Sequence, residues 1–292
     1  MNIQCLRQSG HEVIDVFPFF NELELLELRL RILSPFVDKF VLVECPQTFS
    51  GLPKPLYFAS NQSLFNSWRE KIVHYVITDP IESVSDIATR LRSPEISPVD
   101  RWILEQTAIH DTQGHEFHWT QEFFQRESIR KAIGDIDREA IIFFSDLDEI
   151  WNPQMRFEWN SETLFRLEQK VFCYWLNNQS NEPWSSAIFG SSAIFEGRSL
   201  NHLRADTTDL QSTKVSNGGW HFTYQGGQER IKMKLSSFSH QEFNNRKILR
   251  KLGSRLANRT DILGRSLKFE KSEVGLPPEI FAMRHKLPDW FL

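Results

Sequence analysis

The sequence is poor in cysteine and has no long apolar run. Its three cysteines, Cys5, Cys45 and Cys173, are widely spaced and form no C-x-x-C pair, so neither a disulfide framework nor a zinc site is indicated. No apolar stretch approaches the ~20 residues that cross a bilayer, and the first residues lack the apolar core of a signal peptide. We therefore expect a cytoplasmic protein without a transmembrane segment, for which peripheral membrane contact stays open.

A basic surplus and several common nucleotide and catalytic motifs are also missing. The formal net charge is -4, which argues against a general nucleic-acid binder. The sequence contains no G-x-G-x-x-G, no G-x-x-x-x-G-K-[ST] and no G-x-S-x-G, which excludes the dinucleotide fingerprint, the P-loop and the nucleophile elbow. No linker clearly divides the chain, so we expect one domain over residues 1–292, with halves at about 11–151 and 152–292.

The first part of the chain predicts a β-α-β unit. Residues 12–17 read as a strand that Pro18 ends, and residues 40–44 read as a second, buried strand. Between them a Leu-rich helix starts at Asn21, in a sequence similar to a capping box, and ends before Pro35. The two strands should therefore be parallel, with a right-handed crossover.

Polar residues lie near the carboxyl ends of these strands, where they can hydrogen-bond a nucleoside. They are Asp15, Asn21, Glu22 and Glu44. Helix capping alone explains Asn21 and Glu22, whereas Glu44 ends an apolar strand and is less easily explained. Possible phosphate partners, of which one or two at most should act, are Lys54, Arg126, Arg130, Arg230, Lys232 and Lys234.

An acidic turn follows the apolar run at residues 141–144, in the sequence AIIFFSDLDEIW. The run reads as a strand buried on both faces, and Asp146, Asp148 and Glu149 come directly after it. Such close carboxylates repel one another unless a cation or hydrogen-bond donors offset their charge. The pattern fits a Mg²⁺ or Mn²⁺ site for a phosphate ligand and an acidic turn that caps a helix equally well. An aspartyl-phosphate phosphatase would instead carry its D-x-D near the N-terminus.

Other elements follow from periodicity and turn signals. A second D-x-D, at Asp135 and Asp137, reads as a solvated loop. The tripeptide at residues 217–219 signals a turn before His221, which could complete a metal site, although a lone histidine is more often structural. Strands are expected at 71–77, 171–176 and 187–195, helices at 101–110, 120–133, 231–243 and 246–256, and an irregular surface segment at 79–100.

Three blocks of the chain resemble glycosyltransferase family 17, the β-1,4-N-acetylglucosaminyltransferase-III-like enzymes. The first is DVFPFFNELELLELRLRILSPFVDKFVLVECPQTFSGLPKPLYF, and the others contain FFSDLDEI and GWHFTY. They occur in order over roughly residues 12–58, 120–151 and 217–243. The resemblance implies an α/β fold of the GT-A type, with a Rossmann-like, mostly parallel central sheet flanked by helices and a mixed C-terminal half.

The resemblance also implies a function. It is metal-dependent, inverting transfer of N-acetylglucosamine from UDP-GlcNAc to a glycan or glycolipid acceptor, with Mn²⁺ or Mg²⁺ held by Asp146, Asp148 and His221. Asp15, Asn21, Glu22, Glu44, Lys54 and Asp146 are then expected at the donor, and Asp148 and Glu149 are the expected catalytic residues. Further carboxylates that could act as base are Glu196, Asp206 and Glu229. The alternative is a non-catalytic carbohydrate-binding protein on the same scaffold.

Overall fold

The computed structural model describes residues 1–111, 113–114, 116–134 and 136–292; Asp135 of the second D-x-D lies outside these ranges. It is an α/β structure with one large sheet flanked by helices. Within the described residues the strands are β1 (Val13–Phe19), β2 (Lys39–Glu44), β3 (Ile72–Val76), β4 (Ile141–Phe144), β5 (Glu149–Trp151), β6 (Leu164–Cys173), β7 (Asn178–Ser180), β8 (Ile188–Ser191), β9 (Ser212–Thr223) and β10 (Phe269–Lys271).

Helices surround this sheet. In the same part of the chain they are α1 (Ile3–Gln8), α2 (Leu23–Leu33), α3 (Tyr57–Asn61), α4 (Val84–Leu91), α5 (Pro98–Asp111), α6 (Phe117–Glu127), α7 (Ile129–Ile133), α8 (Ser192–Phe195), α9 (Leu200–Ala205), α10 (Gly227–Ser237), α11 (Arg246–Ala257) and α12 (Pro278–Met283), with 3₁₀ segments at Gln62–Lys71, Gln241–Phe243 and Pro288–Trp290. None of the helices described is long and apolar enough to cross a membrane.

The sheet is parallel where the first half of the chain builds it and mixed beyond. Its order begins β3-β2-β1-β4, with all three pairings parallel. From β4 it continues antiparallel through β8, β6, β7 and β10. Strand β9 pairs parallel with β6 and antiparallel with β5. The α/β class is confirmed, "mostly parallel" describes only the first half, and the GT-A type stays a prediction.

Alternating side chains of the parallel strands enter two apolar cores, one on each face of the sheet. Phe143 of β4 lies in the core that contains α2 and α12, whereas Phe144 lies in the core that contains α4 to α9. All four residues of β4 are buried, as expected for a strand covered on both faces. A third cluster packs α10 and α11 against the ends of β6 and β9.

Several predicted boundaries are wrong. Strand β1 continues through Pro18 to Phe19, and α2 has Glu22 as N-cap with no side-chain capping bond, so the expected cap by Asn21 does not form. The segment 79–100 contains α4 and the start of α5. The turn expected at 217–219 is instead part of β9.

Close backbone packing explains the glycines within β9. Gly219 has a φ of 138°, and a Cβ there would lie 2.2 Å from the carbonyl oxygen of Ile150 in the neighbouring strand β5. A Cβ on Gly218 would lie 2.8 Å from the Cβ of Leu167 in β6. The glycines therefore allow three strands to pack closely. In a sequence, a pair of glycines can indicate either such a close contact or a turn.

Candidate functional site

A cavity lies at the carboxyl ends of the parallel strands. Residues from the end of β1, the end of β2 and the turn after β4 meet there, together with residues of α10 and of the loop after β2. Its polar and charged lining includes Glu22, Lys54, Asp146, Asp148 and Lys234. The cavity volume is about 120 Å³, less than the ~300 Å³ of a typical small-molecule pocket. A space of this size matches one ring of a ligand more closely than a whole nucleotide sugar.

Asp148 is a carboxylate of the lining that faces two basic side chains. Its Oδ2 accepts a hydrogen bond from Lys234 Nζ over 2.7 Å and lies 3.5 Å from Nε2 of His221. Burial alone raises the pKa of Asp148, but the charges of Lys234 and His221 outweigh burial and bring it well below its ordinary value. Burial lowers the pKa of Lys234, but the negative charges of Asp148 and Glu22 outweigh it, so this pKa is raised. Both groups are therefore charged at neutral pH.

Asp146 faces arginines instead. Both of its carboxylate oxygens lie 3.1 Å from Arg126, and Oδ2 accepts a hydrogen bond from Arg204 over 2.8 Å. Burial raises the pKa of Asp146, but the two guanidinium groups outweigh burial and lower it. Asp146 therefore reaches the cavity as part of a neutralised cluster, whereas Asp148 faces Lys234 and His221.

Glu149 lies behind the turn, fully buried. Its two oxygens accept hydrogen bonds from Arg204 over 2.7 and 2.6 Å, from the backbone N–H of Asp146 over 3.0 Å, and from Nε1 of Trp184. These donors hold the carboxylate in one position. Its contacts are those of a residue that fixes the shape of the D-x-D turn.

Arg29 of α2 also holds the turn in place. Its fully buried guanidinium makes two 2.7 Å hydrogen bonds to the carboxylate of Asp15. The same group donates to Ser145 Oγ over 2.7 Å and to the backbone carbonyls of Asp146, Leu147 and Glu149 over 2.9 to 3.1 Å. Asp15 also accepts a hydrogen bond from Trp151 Nε1 over 3.0 Å. The backbone of the turn is thus tied to the first strand through one side chain.

Two further charged residues of the lining have pKa values shifted by burial. The pKa of Glu22 is raised, chiefly by burial and further by Asp148, although Lys234 opposes both. The pKa of Lys54 is lowered by burial, which the charge of Glu44 opposes. The Lys54 ammonium lies 3.7 Å from Glu44. The charged forms of both Glu22 and Lys54 are poorly solvated. A ligand that donates a proton or hydrogen bond to Glu22, or that brings negative charge to Lys54, would stabilise them.

The structure brings only some of the predicted donor residues to the cavity. Glu22, Lys54 and Asp146 line it, whereas the carboxylate of Asp15 is taken up by Arg29. The amide of Asn21 donates to Met233 Sδ over 2.8 Å. Glu44 accepts hydrogen bonds from the backbone N–H groups of Phe58 and Ala59 at the start of α3 and lies 3.1 Å from His74 Nε2. Its position at the end of β2 is explained by this helix contact.

The remaining charged candidates have partners of their own. Among the predicted phosphate partners Arg130 pairs with Glu127, Arg230 with Glu24 and Lys232 with Glu229, while Lys54 and Lys234 line the cavity. Among the carboxylates named as possible bases, Glu196 pairs with Arg138, Asp206 with Arg166 and Glu229 with Lys232.

The predicted metal ligands fit a divalent ion in part. Asp148 Oδ2 and His221 Nε2, 3.5 Å apart, are close to the ~3 Å between neighbouring ligands of an ion with bonds of about 2.1 Å. The other ring nitrogen of His221 is buried and has no hydrogen-bond partner in the part of the chain that the structure describes. Asp146 is turned to its arginines, and no group of three His, Cys, Asp or Glu side chains in the described ranges is placed to hold an ion.

Sequence reasoning missed Arg29 and Arg204. Arg29 carried a signal, because it stands among the buried apolar residues of α2, where a cation requires a buried partner. Arg204 carried none: it belongs to the short helix α9 and reaches Glu149 across 55 residues of sequence.

Comparison with known proteins agrees with the resemblance in the first part of the chain. The profile of glycosyltransferase family 17 matches residues 4–93, and a search of curated proteins found no match. The profile match supports this family and suggests a glycosyltransferase, which implies a sugar donor and a sugar acceptor. The matched segment includes Glu22 and Lys54, whereas the D-x-D turn and His221 lie beyond it. Membership of the β-1,4-N-acetylglucosaminyltransferase-III-like group stays a prediction.

Proposed function

We propose that the chain is an inverting glycosyltransferase that uses a nucleotide diphosphate sugar, with UDP-GlcNAc as the expected donor and a glycan or glycolipid hydroxyl as acceptor. The observation that carries the proposal is the cavity at the carboxyl ends of β1, β2 and β4, where Lys54 and Lys234 meet the D-x-D turn. This edge of a parallel sheet is where α/β proteins bind nucleotides. The family match supports the same class of reaction.

The shape and charge of the cavity suit such a donor. Its enclosed volume takes one ring, which we assign to the base, between apolar residues such as Phe20 and Phe49. A diphosphate extending from the base then passes Lys54 and Lys234. Each ammonium has three donors, and among the described residues Lys234 has one hydrogen bond assigned, to Asp148, so it has donors left for phosphate.

The residues around the turn then have distinct roles. The acceptor hydroxyl attacks the anomeric carbon, the bond from that carbon to the diphosphate oxygen breaks, and the proton of the hydroxyl passes to solvent water. Lys234 and Lys54 offset the negative charge on the departing diphosphate. Asp148 orients Lys234. We assign Glu149 a positioning role, because Arg204, Trp184 and the backbone of Asp146 already hold both of its oxygens.

We further propose that Asp148 and His221 would hold a Mn²⁺ or Mg²⁺ ion together with the phosphate of the donor, with the ammonium of Lys234 moving from Asp148 Oδ2 to the phosphate when the ion binds. One or two protein ligands plus substrate phosphates are a usual set for Mg²⁺. Such an ion supplies positive charge at the leaving phosphate. His221 Nε2 lies 3.5 Å from Asp148 Oδ2. Among the described residues its Nδ1 has no partner, so the hydrogen bond that usually orients a metal-binding histidine is not formed by the protein.

Nucleotide release from a panel of UDP- and GDP-sugars, with Mn²⁺ and with EDTA, tests the proposal. Wild type should release UDP from UDP-GlcNAc in a metal-dependent way, and Asp148→Asn should lower the rate by at least about a hundredfold, as expected for loss of one preorganised charged group. Asp137→Asn, at an exposed aspartate of the second D-x-D, is the matched control and should keep the wild-type rate.

Two results would reject parts of the proposal. Equal rates for wild type and Asp148→Asn would show that the D-x-D turn is not the active site. No metal-dependent binding of UDP, together with no release from any sugar, would favour the non-catalytic carbohydrate-binding protein.

A further inference from the structure

Trp184 is a large side chain that the fold leaves exposed beside the proposed site. It lies in the loop between β7 and β8 and is 39% exposed. In the part of the chain that the structure describes, Trp184 and Phe281 are the aromatic residues among the exposed large apolar side chains. An exposed indole is not unusual by itself, so its surroundings decide what it can do.

Trp184 is held in place by three hydrogen bonds, one from its ring and two from its main chain. Its Nε1 donates a hydrogen bond to Glu149 Oε1. Its backbone N–H donates to the carbonyl of Gln169 over 3.0 Å, and its carbonyl accepts from the N–H of Gln169 over 2.8 Å. Gln169 belongs to β6, so the sheet fixes the main chain while the D-x-D turn fixes the ring. An exposed aromatic surface with so few rotational choices is preorganised for a ligand.

The ring of Trp184 lies next to His221, which in turn lies next to Asp148. The Trp184 ring centroid lies 5.0 Å from that of His221, and His221 Nε2 lies 3.5 Å from Asp148 Oδ2. Asp148 lines the donor cavity, whereas Trp184 and His221 do not. His221 therefore links the ring of Trp184 to Asp148, and Glu149 links the indole Nε1 to the same turn, so the exposed part of Trp184 lies outside the cavity lining but in contact with the residues that border it.

We propose that Trp184 is the platform on which a pyranose ring of the acceptor stacks. The apolar face of a pyranose presents C–H groups, which pack on the electron-rich face of an indole. The hydrogen bond from Trp184 to Glu149 couples the platform to the same turn that carries Asp148. The identity of this sugar as an acceptor rests on the proposed function, but its binding to Trp184 does not.

Binding of the full chain to an array of mono- and oligosaccharides built from the common hexoses and N-acetylhexosamines, in the presence of UDP, tests the platform. Wild type should bind at least one glycan class, and Trp184→Ala should weaken that binding by about tenfold or more. Trp184→Phe keeps an aromatic face and lacks the N–H, so it should retain most of the binding. Phe281→Ala, at a residue that is 37% exposed on α12, should bind as wild type does.

The kinetic counterpart uses the best glycan from the array as acceptor. Trp184→Ala should raise the KM for this acceptor by about tenfold while the KM for UDP-GlcNAc changes less than about twofold, and Trp184→Phe should restore the acceptor KM. Equal loss in the Phe and Ala variants would overturn the platform, because it would assign the effect to the hydrogen bond with Glu149. So would wild-type binding to no glycan, or equal binding by wild type and Trp184→Ala.

The two proposals fail separately. Glycan binding that depends on Trp184 without nucleotide release would reject the transferase and keep the platform. Nucleotide release that depends on Asp148, with glycan binding indifferent to Trp184, would reject the platform alone.

Discussion

Replacing Arg29 by Met tests whether one buried side chain holds the D-x-D turn on the sheet. The substitution removes the guanidinium that pairs with Asp15 and bonds three backbone carbonyls of the turn. Met keeps the length and the apolar stem of the side chain. What is lost is therefore the charge and its hydrogen bonds, in a place where water does not replace them.

The expected cost follows from what is left behind. Removing one partner of a buried ion pair costs about 3–5 kcal/mol, because the other charge stays buried without compensation. A buried carbonyl without its donor costs about 1–3 kcal/mol, although such contributions do not add fully. Because domains are stable by only about 5–15 kcal/mol, we expect Arg29→Met to lose at least about 3 kcal/mol or to fail to fold.

Urea unfolding followed by tryptophan fluorescence measures this loss. The double variant Asp15→Asn/Arg29→Met removes the unpaired charge, so it should be more stable than Arg29→Met. Arg31→Met is the matched control: Arg31 lies two residues further along α2, where it pairs with Glu27 at the surface, and its loss should cost no more than about 1 kcal/mol. Equal unfolding midpoints for Arg29→Met and Arg31→Met would show that the buried guanidinium does not stabilise the turn. A double variant no more stable than Arg29→Met would show that the unpaired charge of Asp15 is not the cause of the loss.

Two further predictions concern stability. The pKa of Glu22 is raised by burial and by Asp148, so the folded protein binds this proton more tightly than the unfolded chain, and a penalty appears as the pH rises above the unfolded value of about 4.5. Glu22→Gln should therefore be more stable than wild type at pH 8 and equal to it at pH 4 in urea titrations; a gain at pH 4 that is absent at pH 8 would contradict the shift. Gly219→Ala should lower the free energy of unfolding by about 3 kcal/mol or more, since its Cβ would lie 2.2 Å from the Ile150 oxygen. Gly10→Ala has a positive φ but an open surrounding and should lose only about 1–2 kcal/mol; similar losses in both would disprove the close approach of β5.

The parallel half of the sheet could be predicted because its signals are local. An unbroken apolar run marks β4, and the spacing of leucines marks α2. The acidic turn was therefore placed correctly at a strand end, next to the end of β1. In contrast, the glycines of β9 were predicted to turn because the same letters serve a turn and a close strand contact.

The partners of the site could not be predicted from local patterns. Asp146 was predicted to face a cation, and the structure supplies Arg126 and Arg204 from α6 and α9, elements distant in sequence. Glu44 was predicted to face a ligand, but it caps α3, whose position is decided only when the sheet forms. Which carboxylate meets which cation depends on tertiary packing, and a pattern of charges along one strand does not contain that information.

Calorimetric titration with UDP tests the central claim most directly, namely that the cavity binds a nucleotide diphosphate through Lys54 and Lys234. Wild type should bind UDP more tightly than uridine. Lys54→Met and Lys234→Met should each weaken UDP about 10- to 100-fold, the equivalent of one charge-assisted hydrogen bond. Lys232→Met, on the same helix but paired with Glu229 at the surface, should bind UDP as wild type does. Equal affinities for UDP and uridine, or UDP binding that neither lysine affects, would show that Lys54 and Lys234 do not bind the diphosphate.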